Sequence, residues 1–275
     1  AGSTCENGHT MIEVITSVNE YYWNLIGRDS VNSWLRYWDD SFRLTVYTED
    51  FELPIQTPRI TTVDFSQLDS DYAQFQNEDF NPSTKRFAKK SYSVMHAMRH
   101  STSSWIIWLD ADVITQQNIG WIEWRELLRN DCLATYMGVI YTQDKQGNSG
   151  NWLVPETGVF AVNREHSEFD NFRDEYERRY HERDYTDLRR FYDNDVFGAA
   201  IRSVPSAQIY DLCATFSKPY KTPLRHTVLG PYLTHYKAKH RKAEYLLPSV
   251  DSNTTHDEGA GDPLKDCAPD PCDDL

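Results

Sequence analysis

The sequence predicts an α/β fold, a single domain whose mostly parallel, doubly wound central sheet is flanked by helices. Candidate strands and helices alternate through the first half of the chain, as parallel strands joined by crossover helices require. The run Trp105–Leu109 contains only apolar residues, which is typical of a strand buried on both faces of a parallel sheet. With 275 residues, the chain is long enough to bury one large core.

The order of the elements follows from apolar periodicity and from helix and turn signals. Apolar runs predict strands at residues 11–18, 42–47, 58–65, 105–109, 132–141, 158–162 and 208–212. Helical spacing predicts helices at residues 21–37, 84–100 and 118–129, and two charged helices between 165 and 202. Thr84 is the predicted N-cap of the second of these helices, since its hydroxyl can accept a backbone N–H.

The two ends of the chain differ in composition from the rest. Residues 1–10 are polar, which predicts a disordered leader or a non-native remnant, and the domain is predicted to span residues 11–248. Residues 249–275 lose apolar periodicity and contain eight acidic residues against one lysine and one histidine. This composition predicts an acidic, disordered tail.

Composition limits the classes of function. The chain has 42 acidic and 28 basic residues and a formal net charge of -14, which disfavours broad affinity for nucleic acid. No apolar run reaches the length that spans a bilayer, and the first residues lack a signal-peptide pattern. We therefore expect a cytoplasmic protein without a membrane partner, of undetermined oligomeric state. Five widely spaced cysteines predict no disulfide framework, and Cys132 and Cys213 are predicted to be buried thiols.

Two carboxylates follow the apolar run directly, at Asp110 and Asp112. Open α/β sheets bind their ligands beyond the carboxyl ends of the strands. Two acidic groups there would repel each other and lose hydration unless a cation lay between them. Hard divalent ions such as Mg²⁺ or Mn²⁺ suit such a pair. The alternative is an acidic turn in which Asp112 caps the next segment.

Four blocks of the sequence carry a resemblance to a known family. The first block is the segment from Lys89 through the apolar strand to Ile114. The other three are Pro-Glu-Thr-Gly-Val-Phe-Ala-Val-Asn from Pro155, Tyr-Asp-Asn-Asp-Val-Phe from Tyr192, and Thr-His-Tyr-Lys from Thr234. In order and spacing these blocks resemble the core of the GT-A-fold glycosyltransferases, over about residues 11–245. The resemblance implies a single GT-A-like domain and a metal-dependent transfer of a sugar, with Mn²⁺ or Mg²⁺ as cofactor.

The resemblance also implies the metal ligands. Asp112 would bind the ion directly, Asp110 would contact the ion or the donor ribose, and His235 would be the third protein ligand. A surface histidine in a basic segment is the alternative for His235, and His226 is the second candidate for a ligand.

The donor is expected to be a nucleotide diphosphate sugar, UDP-linked. Lys89 and Lys90 are adjacent on the helix before the paired aspartates, and we predict that Lys90 faces the donor. Lys237 could neutralise the diphosphate. Base and ribose are expected at three polar residues that end the first strand, where a plain polar loop is the alternative: Thr16, Ser17 and Asn19.

Glu156 and Asp195 are the predicted catalytic carboxylates. Glu156 precedes Thr157 and Gly158, and the glycine would let the backbone approach a ligand closely. One carboxylate would deprotonate the acceptor hydroxyl in an inverting transferase, whereas a group under the anomeric carbon would act in a retaining one. The segment around Asp195 resembles that of retaining family members, which favours retention. N-capping of a helix over residues 196–202 is the alternative for Asp193 and Asp195.

Three classes of function fit these residues. The first is the metal-dependent glycosyltransferase, and the second is a nucleotidyltransferase acting on a sugar phosphate. The third is a non-catalytic carbohydrate-binding protein. The segment Ile15–Glu20 has no glycine and no basic residue, unlike the phosphate loops of nucleotidyltransferases. A binding protein would have little use for paired aspartates together with His235. We expect a saccharide or other hydroxyl acceptor, with modified DNA as an alternative.

Overall fold

The computed structural model describes residues 12–143, 149–204, 208–214 and 223–236, without the side chains of residues 140–143 and 149–153. The predicted leader, the predicted tail and both domain boundaries lie outside the described residues. The strands are Ile12–Asn19 (β1), Phe42–Glu49 (β2), Ile60–Asp64 (β3), Trp105–Leu109 (β4), Val113–Thr115 (β5), Cys132–Gln143 (β6), Ser149–Asn163 (β7), Gln208–Asp211 (β8) and Leu233–His235 (β9). The α-helices are Glu20–Tyr22 (α1), Arg28–Tyr37 (α2), Ser70–Asn77 (α3), Pro82–His100 (α4), Trp121–Trp124 (α5), Phe169–His181 (α6) and Asp193–Arg202 (α7).

Seven of these strands form the central sheet, in the order β3-β2-β1-β4-β7-β6-β8. The four strands β3, β2, β1 and β4 are parallel, and β8 is parallel to β6. β7 is antiparallel to both of its neighbours, β4 and β6. The mostly parallel α/β sheet predicted from the sequence is confirmed. The antiparallel pair arises where β6 and β7 are joined by residues 144–148, too few for a crossover helix.

Helices cover both faces of this sheet, so β4 is buried on each side. Ile106 and Trp108 pack into a core cluster with side chains of α4, α6 and α7. Ile107 and Leu109 point the other way and pack into a second cluster with Trp34 of α2. This alternation places apolar residues on both faces, which explains why the strand has no polar position.

Several predicted helices differ in their limits from the observed ones. The predicted helix over 21–37 contains a π-helical turn at Trp23–Gly27, where a Cβ on Gly27 would lie 2.9 Å from Val18 Cγ2. The prediction of Thr84 as an N-cap is wrong: Asn81 caps α4, because its side-chain oxygen accepts the Thr84 N–H at 2.9 Å. The predicted helix over 118–129 is reduced to the short α5.

A second sheet, absent from the sequence-based predictions, joins β5 and β9 in antiparallel pairing. Val113 pairs with His235, Ile114 with Thr234 and Thr115 with Leu233. β5 starts directly after the paired aspartates, so this sheet brings His235 back to the carboxyl end of β4.

Two smaller expectations concern membrane segments and thiols. Among the residues that the structure describes, no helix combines the length and the apolar character that crossing a bilayer requires. Cys132 and Cys213 are buried free thiols, as predicted.

Candidate metal and active site

The paired aspartates lie in a tight turn held from two sides. The Asp110 N–H donates to the Gly158 carbonyl of β7, and the Asp110 carbonyl accepts from the Val113 N–H, both at 2.9 Å. The Tyr236 N–H donates to the Asp112 carbonyl at 2.9 Å, immediately after β9. The backbone between β4 and β5 is therefore fixed by both neighbouring segments, and the two carboxylates project from a rigid turn.

His235 completes a group of three potential metal ligands. Its Nε2 lies 3.1 Å from Asp112 Oδ1 and 3.6 Å from Asp110 Oδ2. One ligand atom from each of the three residues lies within 4.8 Å of the others. The His235 side chain is only 8 % exposed, so it is not a surface histidine. His226 is exposed and lies outside this group.

The protonation of His235 reflects the acidic surroundings. Burial lowers the pKa of the imidazole, but the Asp112 carboxylate, and then Asp110 and Glu156, more than offset this and raise it above its ordinary value. A cation is thus favoured at this position, and a bound metal ion would take the place of the proton.

Lys90 links the paired aspartates to the start of α7. Its Nζ lies 2.7 Å from Asp110 Oδ1, 2.9 Å from Asp193 Oδ2 and 3.1 Å from the Thr157 carbonyl oxygen. Burial alone would lower the pKa of the ammonium group, but the two carboxylates raise it above its ordinary value. Lys89 instead pairs with Glu49 at the end of β2. Lys90 is therefore the lysine that faces the site, and all three of its N–H donors have acceptors.

The described side chains around this point are mostly acidic. Asp110, Asp112, Glu156 and Asp193 face one lysine and one imidazole. Such an excess of carboxylates is stabilised by a divalent cation. Carboxylate oxygens are the ligands that Mg²⁺ and Mn²⁺ prefer, and an imidazole nitrogen can complete the set. The donor set therefore fits the metal that the sequence predicts.

Gly158 provides the space that His235 occupies. A Cβ at this position would lie 2.5 Å from His235 Cε1 and 2.6 Å from Nδ1. Glu156 lies on the same side of the ring, with Oε1 3.9 Å from Nδ1, and accepts the Gly158 N–H at 3.2 Å. The glycine was predicted to allow a close approach to a ligand, and what approaches it is the imidazole.

The acidic segment at the start of α7 divides into two environments. Asp193 is buried against Lys90 and accepts the Thr157 hydroxyl. Asp195 is also buried, with Oδ1 3.8 Å from Arg189 Nε and Oδ2 3.9 Å from Arg190 Nε. Burial raises the pKa of Asp195, although both guanidinium groups oppose this. The N-cap residue of α7 is Tyr192, so neither aspartate is the cap that the alternative interpretation proposed.

The residues predicted to bind base and ribose end β1, next to β4 in the sheet. Thr16 is buried, and its hydroxyl oxygen has no hydrogen-bond partner among the described residues. Ser17 is half-buried. Asn19 caps α1, with its side-chain oxygen 2.8 Å from the Tyr22 N–H, a structural use that the sequence analysis did not consider. Lys237 lies outside the described residues.

Two residues that contact the site were missed in the sequence. Thr157 contributes a carbonyl to Lys90 and a hydroxyl to Asp193. Trp108 donates its indole N–H to Asp110 Oδ1 at 2.7 Å. The only available signal was position, because Thr157 directly follows a predicted catalytic residue and Trp108 precedes Asp110 by two residues in the strand.

Comparisons with known proteins return only solved structures. No family model and no curated protein matches the chain. Among the solved structures it is similar to the bifunctional glycosyltransferase WbbM, at 14 % identity and a TM-score of 0.45, over 74 % of this chain and 39 % of that one. The glycosyltransferase GlyE of Streptococcus pneumoniae TIGR4 matches at 13 % identity and a TM-score of 0.45, over 74 % of this chain and 45 % of that one. The chain thus spans less than half the length of either protein.

A third similar structure is the galactosyltransferase LgtC, solved with donor and acceptor sugar analogs. It matches at 13 % identity and a TM-score of 0.46, over 82 % of this chain and 87 % of that one. All three proteins are glycosyltransferases, the class that the sequence resembles. With TM-scores below 0.5 and identities of 13–14 %, these similarities assign no activity to this chain.

Proposed function

We propose that the protein is a metal-dependent glycosyltransferase that moves a sugar from a UDP-linked donor to a hydroxyl group of an acceptor. The observation that carries the proposal is the group Asp110, Asp112 and His235, beside Lys90 at the carboxyl end of a central strand. Ligands of open α/β sheets bind at this edge. When bound there, Mn²⁺ or Mg²⁺ would act as a Lewis acid toward the leaving diphosphate.

The protein's own residues would hold and orient the reactants. Lys90 and the Thr157 hydroxyl fix Asp193 against the site. Asp195 is the proposed catalytic carboxylate: it is buried, which raises its pKa, and in a retaining transfer it would lie under the anomeric carbon of the donor sugar. Glu156 is the second candidate. Its contact with the His235 ring also suits it to orient that ligand.

The donor base and ribose are proposed to bind at the end of β1. The Thr16 hydroxyl has no hydrogen-bond partner among the described residues and can donate to or accept from a ligand, and the half-buried Ser17 follows it in the strand. The Asn19 side-chain oxygen is engaged in its cap, so its amide group would be the part that contacts the donor. Lys237 keeps its proposed role at the diphosphate.

The acceptor is proposed to be a saccharide or another small hydroxyl compound. The formal net charge of -14 disfavours a DNA acceptor, although the basic residues Lys85 and Arg86 near the start of α4 keep modified DNA as the second candidate. Retention of anomeric configuration is the proposed stereochemical outcome, based on the resemblance of the segment around Asp195.

A donor screen tests the proposal. UDP-sugars and GDP-sugars are incubated with the protein and Mn²⁺, and hydrolysis and transfer to saccharides or hydroxymethylated DNA are followed by mass spectrometry. In parallel, UDP is titrated calorimetrically with Mn²⁺ and with EDTA. We expect hydrolysis of a UDP-sugar and UDP binding that requires the ion.

Asp112→Asn should abolish metal-dependent UDP binding while leaving the fold intact, since it removes a ligand charge in a buried site. Asp174→Asn is the matched control, because Asp174 lies on α6 and its carboxylate is exposed. Equal UDP affinity with Mn²⁺ and with EDTA would contradict the proposal. Release of pyrophosphate from a nucleoside triphosphate and a sugar phosphate would instead identify a nucleotidyltransferase.

A further inference from the structure

A buried indole lies directly behind one of the paired aspartates. Trp108 is 2 % exposed in β4, and its Nε1–H donates to Asp110 Oδ1 at 2.7 Å. Lys90 Nζ lies 2.7 Å from the same oxygen and 5.4 Å from the centre of the Trp108 ring. Two donors from different elements therefore converge on one oxygen of this carboxylate.

The two carboxylate oxygens of Asp110 therefore contact different groups. A carboxylate oxygen has about two acceptor positions, and the indole and the ammonium group occupy those of Oδ1. Oδ2 is the oxygen that faces His235 Nε2, at 3.6 Å, on the side of Asp112. The carboxylate is thus rotated so that Oδ2 points into the group of potential ligands.

We propose that Trp108 is a positioning residue that fixes Asp110 as a one-oxygen metal ligand through Oδ2. This inference rests on the metal site of the proposed function. The indole is suited to the task because it is rigid and packed, with its ring stacked on Phe160 at a centroid distance of 6.5 Å and an interplanar angle of 16°. It is also neutral, so it restrains the carboxylate without repelling a cation, which Lys90 would do.

The pair of variants Trp108→Phe and Trp124→Phe tests the proposal. Trp108→Phe keeps an aromatic ring and removes the N–H donor to Asp110. Trp124→Phe makes the same change at a tryptophan that is 1 % exposed and whose indole nitrogen has no hydrogen-bond partner among the described residues. Both variants lose similar buried area, so they differ mainly in the lost hydrogen bond.

Mn²⁺ affinity is measured by calorimetry without donor, and the melting temperature is measured on the metal-free proteins. We expect Trp108→Phe to weaken Mn²⁺ binding by about 10- to 100-fold, the usual effect of removing a group that orients a metal ligand. Trp124→Phe should leave the Mn²⁺ affinity unchanged while lowering the melting temperature to a similar extent. A purely structural function of Trp108 would lower the melting temperature and spare the affinity.

Equal Mn²⁺ affinity in wild type and Trp108→Phe would overturn this inference alone. Absence of Mn²⁺ binding in the wild type would overturn the proposed function together with it. If Trp108→Phe does not fold, the wild type labelled with ¹⁵N-tryptophan decides the matter. Mg²⁺ should then shift the Trp108 indole N–H resonance and leave that of Trp124 in place, whereas an unmoved Trp108 resonance would contradict the proposal.

Discussion

Lys90 joins Asp110, one of the paired aspartates, to Asp193 at the start of α7. Its ammonium group is buried and donates to Asp110, Asp193 and the Thr157 carbonyl. Removing one partner of a buried ion pair leaves the other charges uncompensated. The stability of the site before any ligand binds therefore depends on this lysine.

We expect Lys90→Met to lower the free energy of unfolding by about 3–5 kcal/mol, the usual cost of breaking a buried ion pair. Lys89→Met should cost much less, because the Lys89 side chain is 27 % exposed and makes a single pair with Glu49. Urea denaturation of the two neighbouring variants measures the difference. Equal losses would show that the Lys90 charge is compensated in another way.

Gly158→Ala should displace His235, because the new Cβ would lie 2.5 Å from the imidazole. We expect the Mn²⁺ affinity to fall by at least about 10-fold, the lower end of the usual range when the surroundings of a metal ligand are disturbed. The fold should be retained. Gly198→Ala is the control: its Cβ would meet Pro155 Cδ at 2.9 Å, which costs stability without contacting His235. Calorimetry with Mn²⁺ on both variants checks the expectation, and unchanged affinity in Gly158→Ala would contradict it.

The pKa of Asp195 gives a pH-dependent prediction. Burial raises it, so the folded state binds this proton more tightly than the unfolded chain, whose carboxyl has a pKa of about 3.9. Stability from this group therefore falls as the pH rises from about 3.9 through the raised value. We expect Asp195→Asn to melt higher than the wild type at pH 7 and to lose this advantage near pH 4. A lower melting temperature at pH 7 would show that pairing with the arginines outweighs burial.

The sequence was informative about polar residues that interrupt or end apolar runs. Asp110, Asp112 and Lys90 were assigned to one site, and the structure brings them together with His235. A tryptophan inside an apolar strand gives no such signal, because the partner of its N–H depends on the rotamer and on the fold. For this reason the contact of Trp108 with Asp110 could be seen only in the structure.

At the scale of elements, the short pairing of β5 and β9 decides the geometry of the site. Each strand has three residues, too few for a periodic pattern to predict. Their pairing nevertheless sets Val113 opposite His235. The sequence could therefore indicate His235 only through the resemblance to a family.

Helix α6 ends in a C-terminal cap in which an arginine takes the left-handed position that glycine usually occupies. Arg183 has φ of 55°, and the N–H groups of Arg183 and Asp184 donate to the carbonyls of Tyr180 and Arg179, the Schellman pattern. The Arg183 guanidinium also pairs with Asp71 at 2.9 Å and with Glu78 at 2.6 Å, tying α6 to α3. These ion pairs offset the cost of the left-handed backbone conformation at Arg183.

Two substitutions at Arg183 separate these effects. Arg183→Ala should lower the free energy of unfolding by about 1–3 kcal/mol, because charged hydrogen bonds are lost. Arg183→Gly loses the same bonds but relieves the left-handed backbone, so it should be more stable than the alanine variant by about 1 kcal/mol. Urea denaturation measures both values. Equal stability of the two variants would mean that the backbone at residue 183 relaxes once the side chain is removed.

At the scale of the whole molecule, the parallel strands were predictable, whereas the antiparallel direction and the full length of β7 were not. Strands β1, β2 and β4 are continuous apolar or alternating runs with helices between them. In β7, however, the polar residues from Glu156 to Thr157 interrupt the apolar pattern, so the prediction covered only residues 158–162 of a strand that begins at Ser149. Those interrupting residues are the ones that contact His235, Lys90 and Asp193.

Residues 249–275 are predicted to contribute little to stability or to donor hydrolysis. Residues 249–275 carry eight acidic residues against one lysine, half of the formal net charge of -14, and few apolar residues that could pack. We expect the protein truncated after Pro248 to keep its melting temperature and its donor hydrolysis, measured beside the full chain. A drop of more than about 5 °C, a loss of kcal/mol size, would show that the tail packs against the domain. A difference in hydrolysis that disappears at about 1 M salt, where the Debye length is about 3 Å, would instead identify the long-range charge of the tail as its cause.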